Sequence, residues 1–148
     1  MKRTLIILLI TLVSATVQAQ TDNPLKQGMP NTTILPNGEV IYDLTGEWDA
    51  VIDNGYLGVD KDVIKITQEG NKFVGIKLIG NRWIGKDQEC IKGELEKDRI
   101  KSPFRRVYMH RWIPSNAEIL DGGNKIVYEQ ELIKDNLPSR VTLIRKKF

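Results

Sequence analysis

The sequence predicts an all-β fold, an antiparallel up-and-down β-barrel of about eight strands, with a β-sandwich as the alternative. Short segments alternate apolar and polar residues with a period of two, which is typical of strands with one buried face. Turn-forming residues separate these segments at intervals of roughly 8–12 residues. No segment carries apolar residues at helical spacing over about ten positions.

The first 19 residues of the 148-residue chain have the layout of a secretory signal peptide. Lys2 and Arg3 precede an apolar run from Leu5 to Val13, and Val17-Gln18-Ala19 fits a cleavage site. The run is shorter than a membrane-spanning helix requires. We therefore expect an exported protein, periplasmic or extracellular after cleavage near Ala19, with no membrane span in its mature form.

Residues 20–42 are rich in Pro, Asn, Gly and Thr and show no sustained periodicity. This composition predicts an extended N-terminal arm that lies on the domain, with a small turn at LPNGEV. The β-barrel domain itself is expected over residues 43–148.

The first strands of the domain are expected in LTGEWDAVID, DVIKITQ and KFVGIKLI. Alternation in the first of them places Trp48 on the inward face. Gly70-Asn71 predicts the tip of a hairpin between the second and third strands. The residues of that hairpin expected to face inward are Ile64, Ile66, Val74, Ile76 and Leu78.

The remaining strands are expected in ECIKGELE, RIKS, FRRVYMHRW, AEIL, KIVYEQELI and RVTLIRKKF. In ECIKGELE the inward residues are Ile91, Gly93 and Leu95. Gly122-Gly123 predicts a second hairpin with a two-residue turn, between AEIL and KIVYEQELI.

Gly46 and Trp48 form a G-x-W motif on the first strand, and Arg145 lies on the last strand. This combination resembles the calycin superfamily of lipocalins, fatty-acid-binding proteins and avidins. In that group the G-x-W motif closes one end of the barrel, and an Arg or Lys of the last strand packs across the tryptophan. The resemblance implies a small exported bacterial barrel in which these three residues are structural, with Arg140 or Lys147 as alternatives to Arg145.

The stretch FRRVYMHRW contains the only histidine of the chain and has two unlike faces. The aromatic face, our candidate ligand-binding wall, comprises Phe104, Arg106, Tyr108, His110 and Trp112. Eight-stranded barrels can enclose a pocket for one small ligand, and rings with a few polar groups suit such a pocket. The alternative is that either face packs as ordinary core. Trp83, in a glycine-flanked loop, is a further candidate at the mouth of the barrel.

The sequence offers no supported catalytic residue and no metal site. His110 is the only candidate imidazole base, no serine lies in a G-x-S-x-G motif, and nothing in the spacing supports a Cys90–His110 pair. One histidine and one cysteine are too few for a zinc site. Asp60 and Asp62, in VDKD, lack the regular ligand loop of a calcium site and are expected to be solvated loop residues.

Cys90 is the only cysteine, so the chain has no internal disulfide and must derive its stability from its core. We expect Cys90 to be an ordinary strand residue. Pairing with another chain and a role as a nucleophile are the alternatives.

The charge balance argues against binding of nucleic acid. Removal of residues 1–19 takes away two basic residues and no acid, so the formal net charge falls from +3 to +1. Such a balance lacks the concentrated basic surface that nucleic acid requires.

We therefore expect a non-enzymatic barrel, without a cofactor, that binds a small, largely apolar ligand in its interior. The alternative is a protein-interaction module with a filled core, an inhibitor or an envelope-assembly factor whose partner is another envelope protein. A hydrolase-type enzyme is the third hypothesis.

Overall fold

The computed structural model describes residues 23–55, 58–107, 111–129 and 140–147 of the chain, and these residues form an all-β fold. A short 3-10 helix spans Asp121–Gly123. The strands are β1 (Thr32–Ile34), β2 (Val40–Tyr42), β3 (Gly46–Asp53), β4 (Val59–Glu69), β5 (Lys72–Lys77), β6 (Glu89–Glu96), β7 (Arg99–Ile100), β8 (Phe104–Arg106), β9 (Trp112–Pro114), β10 (Asn116–Leu120), β11 (Lys125–Glu129) and β12 (Arg140–Arg145).

The main antiparallel sheet nearly closes into a barrel. Its strands follow the order β10-β11-β12-β3-β4-β5-β6-β8-β9, and β7 pairs with β6. The two ends of this order, β9 and β10, are consecutive in the chain and are separated by Ser115 alone. β7 also lies against β10. The order contains nine strands, so the prediction of an antiparallel barrel of about eight strands is confirmed.

Strand direction alternates around the barrel, so each strand end belongs to one of two barrel ends. Trp48, near the start of β3, pairs in register with Arg145, at the end of β12. We call this the Trp48 end. Lys77 is the last residue of β5, which runs in the same direction as β3, and it marks the opposite, Lys77 end.

The interior is densely packed through the middle of the barrel. A Cβ atom on Gly75 would lie 2.5 Å from Cγ1 of Ile91, and one on Gly93 would lie 2.8 Å from Cγ2 of Ile100. No side chain fits at such distances without displacing its neighbours. The largest fully buried side chains are Trp48, Tyr128, Phe73, Ile41, Leu44, Ile64, Ile66, Ile91, Leu95, Ile126 and Leu143.

The inward face of β5 is the opposite of the one predicted. The inward residues are Phe73, Gly75 and Lys77, and the residues predicted to face inward, Val74, Ile76 and Leu78, are half-buried on the other side of the chain. Gly75 provides the physical reason. Its missing side chain leaves the space that Ile64 and Ile91 occupy, so the row that contains the glycine is the row that can face a crowded interior.

The start of β4 also differs from the prediction. β4 begins at Val59, so Asp60 and Asp62 belong to the strand and not to a loop. Asp62 is in phase with Ile64 and Ile66 and is only 4% exposed. The prediction of a solvated residue is therefore wrong for Asp62, because the extended strand turns its side chain into the barrel.

The described part of the N-terminal arm packs on the Trp48 end. β1 and β2 form a hairpin around LPNGEV, and Ile41 of β2 is fully buried in the same apolar cluster as Trp48. Asn31 Nδ2 donates a hydrogen bond to the carbonyl of Gly122 at 3.0 Å. The arm thereby connects to the turn between β10 and β11. Residues 1–22, with the proposed signal peptide, lie outside the described residues.

The two hairpin turns differ in how closely they follow the sequence pattern. Glu69 pairs with Lys72, so the two-residue turn predicted at Gly70-Asn71 is confirmed. At Gly122-Gly123 the pairing of Leu120 with Lys125 leaves a four-residue connection. Asp121 and both glycines have positive φ there, a conformation that the two glycines accept readily.

Candidate ligand site in the barrel interior

At the Trp48 end, Arg145 packs over the face of Trp48. The guanidinium carbon lies 4.4 Å from the centroid of the ring, which is cation–π distance. The same guanidinium donates hydrogen bonds to the carbonyls of Asp43, Thr45 and Gly123. Arg145 thus connects the chain before β3, the last strand and the turn after β10. Burial lowers the pKa of Arg145, and the charge of Asp43 opposes this effect.

Gly46 provides the backbone conformation at this end of the barrel, because its φ of 136° lies in the region that favours glycine. A Cβ there would make only an ordinary contact with Arg145 Nη1, at 3.6 Å. Trp48 is fully buried, and its Nε1–H donates to the carbonyl of Leu44 at 3.0 Å. The polar group of the indole is therefore satisfied inside the core.

The aromatic face of FRRVYMHRW lies on the outside of the barrel where the structure describes it. Lys92 Nζ, on the outer side of β6, lies 4.2 Å from the Trp112 ring centroid and 5.9 Å from that of Phe104. Arg106 Nη1 donates to the carbonyl of Glu89 at 3.2 Å. Phe104, Arg106 and Trp112 therefore form an outer cluster with Lys92. Tyr108 and His110 lie outside the described residues.

The other face of this stretch points inward. Arg105 and Ile113 pair with each other, and Arg105 also pairs with the inward Ile91. Both Arg105 and Ile113 are 8% exposed. The face that contains Arg105, Val107 and Ile113 therefore supplies a buried cation, Arg105, to the interior.

Trp83 lies in the loop between β5 and β6, at the Lys77 end. The Arg82 guanidinium stacks 4.5 Å from its ring centroid, and the half-buried ring packs against the core. The neighbouring Ile84 is buried in the same core cluster. This loop therefore covers part of the barrel end towards which Lys77 points.

A buried ion pair joins β4 to β5 beneath this loop. Lys77 Nζ lies 3.1 Å from Asp62 Oδ2, and the two side chains are 3% and 1% exposed. The contact is an ion pair without hydrogen-bond alignment, and Nζ has no hydrogen-bond partner among the described residues. An ammonium group has three donors, so Lys77 retains donor capacity inside the barrel.

The Asp62 carboxylate, by contrast, is well satisfied. It accepts hydrogen bonds from the backbone N–H groups of Val63, Ile79 and Gly80, at distances from 2.7 to 3.3 Å. The last two residues begin the loop between β5 and β6. Asp62 therefore holds both the interior lysine and the loop that covers it.

Three further polar side chains belong to the same end of the interior. Cys90 and Arg105 each lie within two residues of the Lys77 end of their strands, as does Tyr128 on β11. The charges of Lys77, Asp62 and Arg105 all act on the Cys90 thiol. The cluster formed by Asp62, Lys77, Cys90, Arg105 and Tyr128 is hereafter called the interior polar cluster.

Burial is the largest influence on the pKa values of Arg105 and Tyr128. It lowers the pKa of Arg105 to about 10, against the smaller effect of Cys90. It raises the pKa of Tyr128 well above its usual value, and Cys90 adds to that rise. The Tyr128 hydroxyl is fully buried and has no hydrogen-bond partner among the described residues. The tyrosine is therefore a neutral donor, as well as an acceptor, directed into the interior.

Native Cys90 should resist alkylation near pH 8. Burial raises the pKa of its thiol from 9.0 to about 12; Lys77 and Arg105 oppose the shift and Asp62 adds to it. Because the thiolate is the reactive form, we expect iodoacetamide to modify Cys90 only in unfolded protein, as read by intact mass. A cysteine-containing peptide serves as the reagent control. Rapid modification of native protein would contradict the burial.

Comparisons with models of protein families, with curated proteins and with solved structures gave no match for this chain. Within the described ranges, no three His, Cys, Asp or Glu side chains are grouped so as to hold a metal ion. No helix in the part of the chain that the structure describes is long and apolar enough to cross a membrane. The chemistry of the interior polar cluster is therefore the basis for a functional proposal.

The sequence contained a signal for this cluster that the apolar pattern obscured. Asp62 lies two residues before Ile64, and Lys77 lies two residues after Gly75, so both continue inward rows. A charged residue in phase with an inward row is a candidate for a paired interior group. The prediction placed the opposite row of β5 inward, and this put Lys77 on the outside of the barrel.

Proposed function

We propose that this protein binds a small, largely apolar molecule in the Lys77 end of the barrel, and that Lys77 and Tyr128 hold a hydrogen-bond acceptor of that molecule. The observation that carries the proposal is that two buried donors of the interior, the Lys77 ammonium and the Tyr128 hydroxyl, lack hydrogen-bond partners among the described residues; Arg106 Nε in the outer cluster is a third such atom. Leaving a buried donor unsatisfied costs about 1–3 kcal/mol. A carbonyl or carboxylate oxygen between the two would remove that cost.

The apolar part of the ligand is expected to be short. The middle of the barrel and the Trp48 end are occupied by side chains, as the close neighbours of Gly75 and Gly93 indicate. We therefore expect the ligand to lie near the interior polar cluster, where Val141 pairs with Tyr128 and Ile52 pairs with Val141. Arg105 places a further positive charge there, which favours an oxygen with partial or full negative charge.

Binding can be tested by thermal unfolding with a panel of medium-chain acids, ketones and amides, after native mass spectrometry of protein purified from its own host. A ligand present at about 100 times its dissociation constant stabilises the folded state by about 2.7 kcal/mol. We expect Tyr128→Phe to weaken this stabilisation and Lys77→Met to abolish it. Lys92→Met, on the outer face, serves as the matched control and should leave it unchanged.

The proposal fails if the purified protein carries no small molecule and no panel member raises its melting temperature. It also fails if a ligand stabilises the wild type and both interior variants equally. That second result would place the ligand elsewhere on the molecule. If a bound water satisfies the two donors instead of a ligand, the first of these results is expected: no co-purifying molecule and no stabilisation by the panel.

We propose that the barrel is related to the calycins, supported by the position of Arg145 over Trp48 and by the antiparallel barrel itself. We also propose that the protein is exported, supported by the signal-peptide layout of residues 1–19.

A protein-interaction module is the second candidate function. It is favoured by the outer face of β3 and β12, where Val51 is 41% exposed and Ile144 is 45% exposed. Exposed apolar residues on neighbouring strands are a common feature of contact surfaces. The ligand panel discriminates between the two candidates, because a module of this kind requires no interior ligand.

A further inference from the structure

Lys77 is unlike every other lysine that the structure describes. It alone is buried, and its counter-charge is a carboxylate that backbone N–H groups hold in place. The other described lysines are half-buried or exposed. A lysine held in an apolar interior beside one fixed carboxylate is suited to covalent chemistry as well as to hydrogen bonding.

We infer that Lys77 captures an aldehyde or ketone as a protonated imine, with Asp62 as its counter-ion. This inference rests on the proposed function and names the ligand class of that same site, an apolar carbonyl compound. The juxtaposition that carries it is the 3.1 Å contact between Lys77 Nζ and Asp62 Oδ2, with both side chains shielded from solvent.

The reaction balances with the groups present. Lys77 Nζ passes one proton to Asp62, and the lone pair of the neutral amine forms a bond to the carbonyl carbon. The carbonyl oxygen then receives two protons, one directly from the nitrogen and one from Asp62. With both protons it leaves as water. The product is an iminium with one proton on Nζ. Ammonium plus carbonyl thus becomes iminium plus water, with no oxidant or reductant.

The ion pair favours this product because the charge on Nζ is the same before and after the reaction. Asp62 therefore stabilises the iminium without rearrangement, and its own backbone hydrogen bonds can remain in place. Imines of exposed lysines are hydrolysed by bulk water, whereas the shielding of Lys77 and Asp62 limits that reaction. Tyr128 supplies a donor for the carbonyl oxygen before the bond forms.

Cinnamaldehyde with sodium cyanoborohydride tests the inference on the full mature chain. The hydride reagent converts an imine into a stable secondary amine, which peptide mass spectrometry locates. We expect the adduct to concentrate on Lys77, in excess over every exposed lysine. Without reductant, the conjugated iminium should give a red-shifted absorption band. Lys77→Arg keeps the charge and should lose both signals, whereas Lys61→Arg, on the exposed side of β4, should keep both.

Adduct spread evenly over the lysines, or a band that persists in Lys77→Arg, would overturn the inference. Circular dichroism and thermal unfolding establish that each variant is folded. Cinnamic acid, which has the same skeleton but forms no imine, separates the two proposals. If it stabilises the wild type more than Tyr128→Phe, and Lys77→Met not at all, while the aldehyde fails to label Lys77, the covalent step is wrong and the proposed binding function stands.

Discussion

Replacement of Asp62 by alanine is expected to lower the free energy of unfolding by about 3–5 kcal/mol, because it leaves the Lys77 ammonium buried without its counter-charge. The loop between β5 and β6 would also lose the carboxylate that accepts from the N–H groups of Ile79 and Gly80. Denaturant unfolding followed by circular dichroism measures this effect. A shift of the midpoint without a change of slope would show that stability, and not the surface exposed on unfolding, has changed.

Asp60 provides the matched control on the same strand. Its Oδ2 atom accepts hydrogen bonds from the side-chain amides of Asn54 and Asn81, each at 3.3 Å, and it makes no ion pair among the described residues. Asp60→Ala should therefore cost only about 1 kcal/mol. The double variant Asp62→Ala with Lys77→Met should recover part of the loss, since no unpaired charge remains. Equal losses for Asp60→Ala and Asp62→Ala would contradict a stabilising role of the ion pair.

The sequence pattern predicts the architecture correctly because strands and turns are indicated by residues that are close together in the chain. Ile64 and Ile66 alternate within one strand, and Trp48 alternates with charged neighbours in the next strand of the barrel. A period of two then decides which residues are buried. Turn residues such as Gly70-Asn71 determine where consecutive strands reverse. An up-and-down barrel follows when every such strand pairs with the next.

The interior polar cluster could not be predicted in the same way, because its members come from different strands. Asp62 and Lys77 are 15 positions apart and meet only because β4 and β5 form a hairpin in one particular register. On β5 the larger number of apolar residues favoured the row that contains Val74. The row that contains Gly75 faces inward instead, because the interior around Gly75 is too crowded for a side chain. Cys90 faces inward next to Ile91 because the pairing shifts between Gly75 and Ile76, an irregularity that alternation cannot indicate.

The two ends of the barrel carry different kinds of side chain. Aromatic and aliphatic side chains fill the Trp48 end, and the described part of the N-terminal arm covers it. Charged and hydroxyl groups lie at the Lys77 end, where the loop between β5 and β6 is hydrogen-bonded to Asp62. Variants at the Trp48 end should therefore change stability and leave the proposed ligand binding intact, whereas variants of Lys77 or Tyr128 should change that binding.

Trp48→Ala is accordingly expected to destabilise the protein by about 3–5 kcal/mol, as large-to-small substitutions of buried aromatic residues do. The fully buried ring contacts the core, and it also supports the Arg145 guanidinium at 4.4 Å. Without the ring, Arg145 would keep its backbone carbonyl partners but lose the surface on which it lies. Unfolding of the purified variant in guanidinium chloride measures the loss of stability, with the melting temperature as a second readout.

Graded variants separate the ring from the cation that packs on it. Trp48→Phe keeps an aromatic face but loses the hydrogen bond to the carbonyl of Leu44, so we expect a cost of about 1–2 kcal/mol. Arg145→Ala removes three carbonyl contacts, and Arg145→Lys retains only the charge, so the alanine variant should be the less stable of the two. If Trp48→Ala and Arg145→Ala destabilise additively in the double variant, the two side chains do not act as a unit, and the closing contact at this end of the barrel has been misassigned.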